Sequence, residues 1–227
     1  MTLDPKWTAT IDAALSDSAW DDYDEVIKKE VTDYNKRFAT TIDWKILKAQ
    51  LWTESGGPNS GAWTTRPMQI GNTGDKAWGV MKAHKEHSNL ICSAALTKEI
   101  DDGKSSINDP KFNVKVGIAY VLTRVADYGT KITDPKEKEY VVKSGDSIEA
   151  IAAKIGTTQE NLFDLNPHAK KVIHPGDKLK YQSAAIGVTS IPVLTPEILQ
   201  KRYNGNGDST YAEKIKYCQD VIAKIKR

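Results

Sequence analysis

Cysteine is scarce in this sequence, and its two copies lie far apart. Cys92 and Cys218 are separated by more than half of the 227-residue chain, so they lack the short spacing of a zinc motif. Cys218 also falls on the apolar stripe of a predicted helix, and free cysteine is among the residue types most often buried. We therefore expect both to be small buried hydrophobic residues, not metal ligands or a disulfide.

Long apolar runs are also missing. No stretch approaches the roughly 20 residues that a membrane-spanning helix needs. The N-terminal segment MTLDPKWTATIDAAL has neither the basic region nor the apolar core of a secretory signal. We expect no membrane span, and a protein that either stays in the cytoplasm or leaves it by a route that the chain does not show.

An excess of either charge is missing too. The 32 Lys and Arg nearly balance the 30 Asp and Glu, which gives a net charge of +2. Because no basic run is interleaved with aromatic residues, the sequence shows no pattern typical of a nucleic-acid-binding surface. With 39% hydrophobic and 27% charged residues, the chain has ordinary globular composition and enough length for one domain plus a small second one.

Helical periodicity dominates what is present. Apolar stripes predict helices over residues 17–38 and 113–128, and a C-terminal helix beginning near Tyr211. Another predicted helix ends abruptly at Glu54, just before a Gly-Gly-Pro stretch. Its last turn is an unusual place for a carboxylate, because the negative end of the helix dipole opposes the charge. Apolar neighbours add to this effect, so we expect Glu54 to favour its protonated form.

A compact segment of different character begins after TDPKEKE. The stretch EYVVKSGDSIEAIAAKIGTTQENLFDLNPHAKKVIHPGDKLKY reads as a strand, two short helices and a second strand. Over residues 140–181 it resembles the LysM module, which includes the GDS turn, the NP after the second helix and the PGDKL that opens the last strand. The resemblance implies a βααβ fold that binds N-acetylglucosamine-containing glycans in a shallow groove. The groove residues it implies are Gly145, Asp146, Ser147, Ile148, Asn166, Pro167 and Ile173.

Five further pieces occur in an order known from another family. They are QLWTESGG, RPMQIGNTG, NDPKFNVKVGIAYVLTRVADYG, RYNG and the C-terminal YAEKIKYCQDVI helix. Together they resemble the catalytic domain of soluble-type lytic transglycosylases, the goose-lysozyme-like superfamily. The segment WTTRP before Met68 departs from that family's pattern, so the resemblance leaves the details of the substrate groove there open.

This second resemblance implies an activity and a set of site residues. Glu54 would be the only catalytic carboxylate, cutting the bond between N-acetylmuramic acid and N-acetylglucosamine in peptidoglycan with formation of a 1,6-anhydro sugar. No cofactor or metal is implied, and the four histidines, His84, His87, His168 and His174, show no metal or triad context. The implied substrate-binding residues are Ser55, Met68, Gln69, Tyr120, Tyr203, Asn204 and Tyr211.

The expected architecture is α+β and mainly α. A lysozyme-like domain would comprise residues 1–137 and 183–227, with the LysM-like domain inserted over residues 138–182. We expect a monomer that acts on peptidoglycan glycan strands in the periplasm or cell wall, delivered by phage lysis or entry or by a specialised secretion system.

Two alternatives stay open at this stage. A hydrolytic muramidase would need a second carboxylate, for which Asp75 and Glu86 are the nearest candidates in sequence. The other alternative is a non-catalytic wall-binding protein in which the helical domain serves as a scaffold.

Overall fold

The chain forms two compact units in a computed structural model that describes residues 2–226. One unit, the helical unit, is built within residues 2–126 and 191–226, and the other, the inserted unit, is Asp127–Ser190. The described chain is mainly helical with one small sheet of two strands, so it belongs to the α+β class with a predominance of helix.

The helical unit contains nine of the α-helices found in the described residues. Short 3₁₀ segments follow the first helix, at Ala13–Leu15 and Ser18–Asp21, and a π-helical turn, Leu199–Tyr203, follows the tenth helix of the chain. The α-helices are α1 Pro5–Asp12, α2 Asp24–Phe38, α3 Trp44–Ser55, α4 Ala77–Lys82, α5 Ser88–Ile91, α6 Ala94–Asp101, α7 Pro110–Val125, α10 Pro196–Ile198 and α11 Tyr211–Lys224.

The helices that position the site have clear start and stop signals. Asp43 caps α3 by accepting a hydrogen bond from the backbone of Lys45, and Asp109 caps α7 in the same way ahead of a proline at its first position. Helix α3 ends where Gly56 takes a left-handed conformation, φ 72°. The predicted end of this helix beside Glu54 therefore matches the observed end.

The core of the helical unit forms around α3 and α7. Helix α7 is buried along nearly its whole length, and α11 packs along α3. The ring of Trp52, fully buried on α3, meets Trp20 edge-on with ring centroids 4.7 Å apart. Since Glu54 follows Trp52 by two residues, it lies at the end of a helix that packing holds rigidly.

Two helix predictions were too long. The segment 17–38 contains a 3₁₀ turn before α2, which starts only at Asp24. Helix α7 stops at Val125, because the chain becomes extended at Ala126 and enters a strand at Asp127. Tyr128, expected on the helix, instead pairs with Val188 in the sheet.

The inserted unit is a strand, two short helices and a returning strand. Its elements are β1 Asp127–Val141, α8 Ile148–Ile155, α9 Gln159–Leu165, a 3₁₀ turn at Pro167–Lys170, and β2 Lys178–Ser190. The strands pair antiparallel from Asp127 with Ser190 to Val141 with Lys178, with irregular register around Asp134. The unit has its own core, made by Val142, Ile151, Ala152, Leu162, Ala169 and Leu179.

The boundaries of this unit differ from the expected residues 138 and 182. Both strands continue past the βααβ segment and pair with each other back to Asp127 and Ser190. The charged segment TDPKEKE lacks the alternating apolar residues that usually mark a strand in a sequence. It can still form a strand because a two-stranded ribbon needs no continuous apolar face.

Candidate functional site

Glu54 lies in the last turn of α3, where its carboxyl group meets the first residue of α11. The hydroxyl of Tyr211 donates a hydrogen bond to Oε1 of Glu54 at 2.5 Å. Tyr211 is itself 3% exposed, so this contact is shielded from solvent. The packing of α11 on α3 thus brings together two residues that are 157 positions apart in sequence.

Burial raises the pKa of Glu54 from 4.5 to about 7. The Tyr211 hydrogen bond and the ammonium of Lys214 act in the opposite direction, while the negative charges of Asp75 and Asp208 raise the pKa further. Together these effects place the pKa of Glu54 close to neutral pH, so its carboxyl group is present in both the protonated and the ionised form there. This is the property that general acid or base catalysis requires.

Glu54 opens into a polar cavity of about 310 Å³. The cavity is lined by residues from the end of α3, the loop before α4, the middle of α7 and the π-helical turn. Its lining residues are Glu54, Gln69, Ile70, Asn72, Asp75, Ala77, Tyr120, Tyr203 and Asn204.

The loop on one side of the cavity is fixed by its own hydrogen bonds. Gln69 takes a left-handed backbone conformation, φ 56°, and its side-chain amide donates to the carbonyl of Arg66 at 2.9 Å. Asn72 donates from its amide to Oε1 of Gln69, and Arg66 donates to the side-chain oxygen of Asn72. Asp75 accepts from the backbone nitrogen of Gly71. This loop therefore presents an ordered wall of polar groups toward Glu54.

Met68 lies behind this loop, away from the cavity lining. It is 1% exposed, its backbone nitrogen donates to the side chain of Asn113, and it packs against Gly117 of α7. Ser55 is also buried and makes a local contact, because its hydroxyl donates to the carbonyl of Leu51 at 2.7 Å. Substrate contact by Met68 and Ser55 stays a prediction, and the structure gives both residues a supporting position.

Three tyrosines surround the other side of Glu54. Tyr203 stacks on Tyr211 with ring centroids 6.4 Å apart and meets Tyr120 nearly edge-on at 6.0 Å. Burial raises the pKa of each of these hydroxyls, so all three are neutral donors at ordinary pH. The predicted residues Tyr120, Tyr203 and Tyr211 are thus brought together around Glu54.

The loop after Tyr203 is braced by an ion pair. Lys214 contacts Asp208 at 2.7 Å, and the hydrogen bond from Lys214 lowers the pKa of Asp208 to about 2. The side chain of Asn204 accepts from the backbone nitrogen of Asp208 at 2.9 Å. Asn204 therefore both lines the cavity and holds the loop.

The two further carboxylates named from sequence have different positions. Asp75 lines the same cavity as Glu54, whereas Glu86 pairs with Arg124 at 2.7 Å and is absent from the lining. Asn72 was missed by sequence reasoning, although it stands between two glycines in a loop typical of a turn.

A larger cavity, of about 570 Å³, lies between α2 and α6. Its charged side chains pair largely with one another, as Lys29 does with Asp33 at 2.8 Å and Lys115 with Glu99 at 3.1 Å. The smaller cavity at Glu54 is the better candidate site because it contains a carboxyl group whose proton is poised near neutral pH.

In the inserted unit, the turn before α8 is organised by Asp146. Its carboxylate accepts from the backbone nitrogen of Lys143 and from the hydroxyl of Tyr140, both at 2.8 Å, and these bonds lower its pKa. Gly145 takes φ 84°, and Ser147 caps α8 by accepting from Ala150. The predicted groove residues 145–148 thus form one ordered turn.

The second predicted groove segment begins at Asn166, which is 4% exposed. Its side chain bonds to both the backbone nitrogen and the backbone carbonyl of Lys180, so it ties the end of α9 to β2. Pro167 opens the 3₁₀ turn, and Ile173 packs against the same core as Ile148. Both segments are therefore held by one small core, while direct contact of these residues with a glycan stays a prediction.

The remaining reactive residue types lie outside these sites. Both cysteines are free and buried, as predicted, and burial raises the pKa of Cys92 to about 11 and of Cys218 to about 12. Within residues 2–226, no group of three or more His, Cys, Asp or Glu side chains is arranged to hold a metal ion. None of the helices in that range combines the length and apolar character needed to cross a bilayer.

Comparison with known families identifies the inserted segment. The LysM domain family matches residues 140–181, the part of the inserted unit that contains its core and both ordered turns. Residues 140–181 are a LysM domain. The ribbon formed by the outer parts of β1 and β2 lies beyond this match.

Comparison with curated proteins finds relatives named N-acetylmuramoyl-L-alanine amidase sle1. The relative from Staphylococcus saprophyticus is 31% identical over 155 residues, which are 68% of this chain and 41% of that protein. The relative from Staphylococcus epidermidis is 48% identical over 113 residues, which are 50% of this chain and 31% of that protein. This chain thus spans less than half the length of these relatives. No solved structure matches the chain.

These relatives overturn the activity expected from sequence. Their name describes an amidase that acts at N-acetylmuramoyl-L-alanine, not a lytic transglycosylase or a muramidase. The predictions of a transglycosylase, of a glycosidic-bond lyase and of muramidase activity were therefore wrong. They depended on five short motifs. A helix that ends in Glu-Ser beside a Met-Gln turn does not by itself specify which bond is cleaved.

Proposed function

We propose that this protein binds peptidoglycan through its LysM domain and acts at the cell wall. The observation that carries the proposal is the family match over residues 140–181, in a segment with a complete core and two ordered turns. The names of the relatives support the same polymer, because an N-acetylmuramoyl-L-alanine amidase acts on a wall component.

A sacculus pull-down tests the wall-binding function. The whole chain is compared with a variant in which residues 127–190 are replaced by a short flexible linker. Asp127 pairs with Ser190, so excision leaves Ala126 and Ile191 near enough for such a linker. We expect the whole chain, and residues 127–190 alone, to sediment with purified sacculi and the excised variant to stay in solution. Equal sedimentation of all three would refute LysM-mediated binding.

We further propose that the helical unit hydrolyses the amide bond at which the relatives act. Two observations favour it: Glu54 holds a proton with a pKa of about 7 in a polar cavity, and the relatives are amidases. In the proposed step, Glu54 as a carboxylate takes a proton from water while the water oxygen bonds to the amide carbon. Glu54 then gives the proton to the departing nitrogen as the carbon–nitrogen bond breaks, leaving a carboxylic acid and an amine.

The assay for this step reports the bond that is cut. Purified sacculi are digested, and new amino termini of alanine and new sugar ends are both quantified. We expect alanine amino termini with the wild type, and a loss of about a hundredfold or more with Glu54→Gln, the usual scale for one acid or base group. New sugar ends without new alanine amino termini would refute amide hydrolysis. Binding without any release would leave the protein as a non-catalytic wall binder.

A further inference from the structure

Arg66 lies in the loop before α4, and its guanidinium group holds two loops together. Its Nε donates to the side-chain oxygen of Asn108, in the loop before α7, at 2.7 Å. Its Nη1 donates to the carbonyl of Gly71 and to the side-chain oxygen of Asn72, both at 3.0 Å. Arg66 is absent from the lining of the cavity at Glu54, whereas Asn72 belongs to it. The hydrogen bonds of Arg66 therefore reach that cavity through Asn72.

Three hydrogen bonds close a ring that begins and ends at Arg66. The guanidinium donates to Oδ1 of Asn72, the amide nitrogen of Asn72 donates to Oε1 of Gln69, and the amide nitrogen of Gln69 donates to the carbonyl of Arg66. The same carbonyl accepts from the backbone nitrogen of Gln69 at 2.8 Å. Gln69 has φ 56°, a conformation that a residue other than glycine keeps only where its surroundings hold it. The ring provides such a hold.

The ring has only one possible direction, because a guanidinium group has donors and no acceptor. The side-chain oxygen of Asn72 must face Arg66, so its NH₂ group is left to face Gln69. The side-chain oxygen of Gln69 is then the acceptor, and its own NH₂ group reaches the carbonyl of Arg66. A side-chain amide that turned over would exchange its donor for its acceptor, and in this ring it would lose a bond.

The ring leaves one donor free on each amide. A side-chain amide has two N–H groups, and Gln69 and Asn72 each use one of them in the ring. Within residues 2–226, the second N–H of each has no hydrogen-bond partner. Both side chains line the cavity, where Tyr120 and Tyr203 add neutral hydroxyl donors. The group that complements these donors is an oxygen acceptor on a ligand.

We propose that Arg66 is a positioning residue, which fixes the amides of Gln69 and Asn72 so that their free N–H groups bind carbonyl oxygens of the substrate. The ligand class is an acyl compound. N-acetylmuramoyl-L-alanine, the compound in the name of the relatives, belongs to this class. The inference rests on the proposed amide hydrolysis, because it names the substrate groups that the same cavity holds.

The ring is tested first without a ligand, by NMR of the ¹⁵N-labelled side-chain NH₂ groups. The signals are assigned by their loss in Gln69→Met and Asn72→Met. In the wild type, one proton of each NH₂ group should exchange with water more slowly than the other, because it is held in the ring. Arg66→Met keeps the unbranched stem but has no guanidinium, and it should remove this difference in both residues.

Gln69 gives the decisive signal in that variant. Its own bond goes to the backbone carbonyl of Arg66, which Arg66→Met retains. Unchanged protection of the Gln69 proton would show that the ring does not hold Gln69, and it would overturn the proposal. Asn72→Asp serves if Arg66→Met folds poorly, since it keeps the acceptor for Arg66 and removes the donor to Gln69. It should also abolish the protection of Gln69, and survival of that protection would contradict the ring.

The second measurement is the binding of N-acetylmuramoyl-L-alanine in a Glu54→Gln background, which prevents cleavage. The probe should slow the exchange of the second N–H proton of both amides, and Arg66→Met should weaken its binding about tenfold, since one or two hydrogen bonds are lost. Arg37→Met is the matched control and should bind as the background does. It also removes a guanidinium that donates to two backbone carbonyls, but Arg37 is absent from this cavity.

The outcomes separate the positioning role from the proposed reaction. No binding of the probe, or equal binding with and without Arg66, would overturn the assignment of Arg66 and of the ligand class. If the sacculus assay shows no release of alanine amino termini while the exchange and binding results hold, the proposed hydrolysis fails and the positioning role of Arg66 stands. Hydrolysis by a protein whose Gln69 and Asn72 show no protected protons would reject the positioning role alone.

Discussion

Gly117 on α7 lies so close to Met68 that an added β-carbon would overlap the Cβ and Cγ of the methionine. Met68 is buried and its backbone is held by Asn113, so it has little room to move. We expect Gly117→Ala to lower the free energy of unfolding by about 1–3 kcal/mol, as overpacking does in dense cores. Urea denaturation followed by circular dichroism would measure this.

Gly79 on α4 is the matched control for that change. It is also helical, but it is exposed and an added β-carbon would meet nothing within 4 Å. Gly79→Ala should raise stability by about 0.5–1 kcal/mol, because alanine loses less backbone entropy in a helix. If both variants shift stability in the same direction, Met68 is not held as rigidly as its contacts indicate.

A second pair of glycines tests the turn that ends α3. Gly57 takes φ 89°, and a β-carbon there would overlap the ring of Trp20, whereas Gly56 takes φ 72° with open space around it. Gly56→Ala should cost about 1–2 kcal/mol from backbone strain alone. Gly57→Ala should cost about 3 kcal/mol or more, since strain and overlap add. Equal unfolding midpoints for the two variants would contradict the Trp20 contact.

The raised pKa of Glu54 makes stability depend on pH in a specific direction. Between an unfolded value near 4.5 and a folded value of about 7, the native state binds more protons than the unfolded state. The contribution of Glu54 to stability is therefore fully present below pH 4.5, is lost as the pH rises through about 7, and does not change further above that value. The full loss is roughly 3 kcal/mol, from about 1.4 kcal/mol for each pH unit.

Glu54→Gln should abolish this loss because the amide does not ionise. We expect the variant to match the wild type at pH 4 and to be more stable by up to roughly 3 kcal/mol at pH 8, measured by urea denaturation at both values. Glu149→Gln, which changes an exposed carboxylate on α8, is the control and should leave the pH dependence intact. A variant that follows the wild-type pH curve would show that Glu54 ionises freely.

The position of Glu54 could be predicted from sequence because its causes are local. A Gly-Gly-Pro stretch ends α3, and apolar residues on the preceding turns bury its last turn. The same reasoning failed at the end of α7, where Tyr128 belongs to a strand. No local signal ends that helix. Its end is set instead by the pairing of Tyr128 with Val188, which lies 60 residues further along the chain.

Gln50 and Asn72 show a different limit. Gln50 lies on α3 four residues before Glu54 and is completely buried, and its burial depends on how α11 packs against α3. Asn72 joins the cavity wall through Gln69 and Arg66, which a single sequence does not connect. The bond that is cleaved is harder still to predict from sequence. A carboxyl group with a pKa near neutral pH can serve many reactions, and only the names of the relatives indicate an amide.

The ribbon beyond the LysM match gives a final prediction, about where the inserted unit ends. Thr130 on β1 shares a hydroxyl–hydroxyl bond of 2.7 Å with Thr158, and the backbone of Ala184 on β2 donates to the carbonyl of Gly156 at 3.1 Å. Ala184 is also buried, 5% exposed. A fragment of residues 138–182 lacks both bonds, whereas a fragment of residues 127–190 keeps them.

We therefore expect the longer fragment to be more stable by about 1–3 kcal/mol, since each net hydrogen bond contributes about 0.5–1.5 kcal/mol. Urea denaturation of the two fragments measures the difference. Thr130→Val in the longer fragment is the internal control, because it removes one hydroxyl bond at nearly constant shape and should account for about 1 kcal/mol of the gap. Equal stability of the two fragments would mean that the domain ends with the LysM match and that the ribbon only connects it to the rest of the chain.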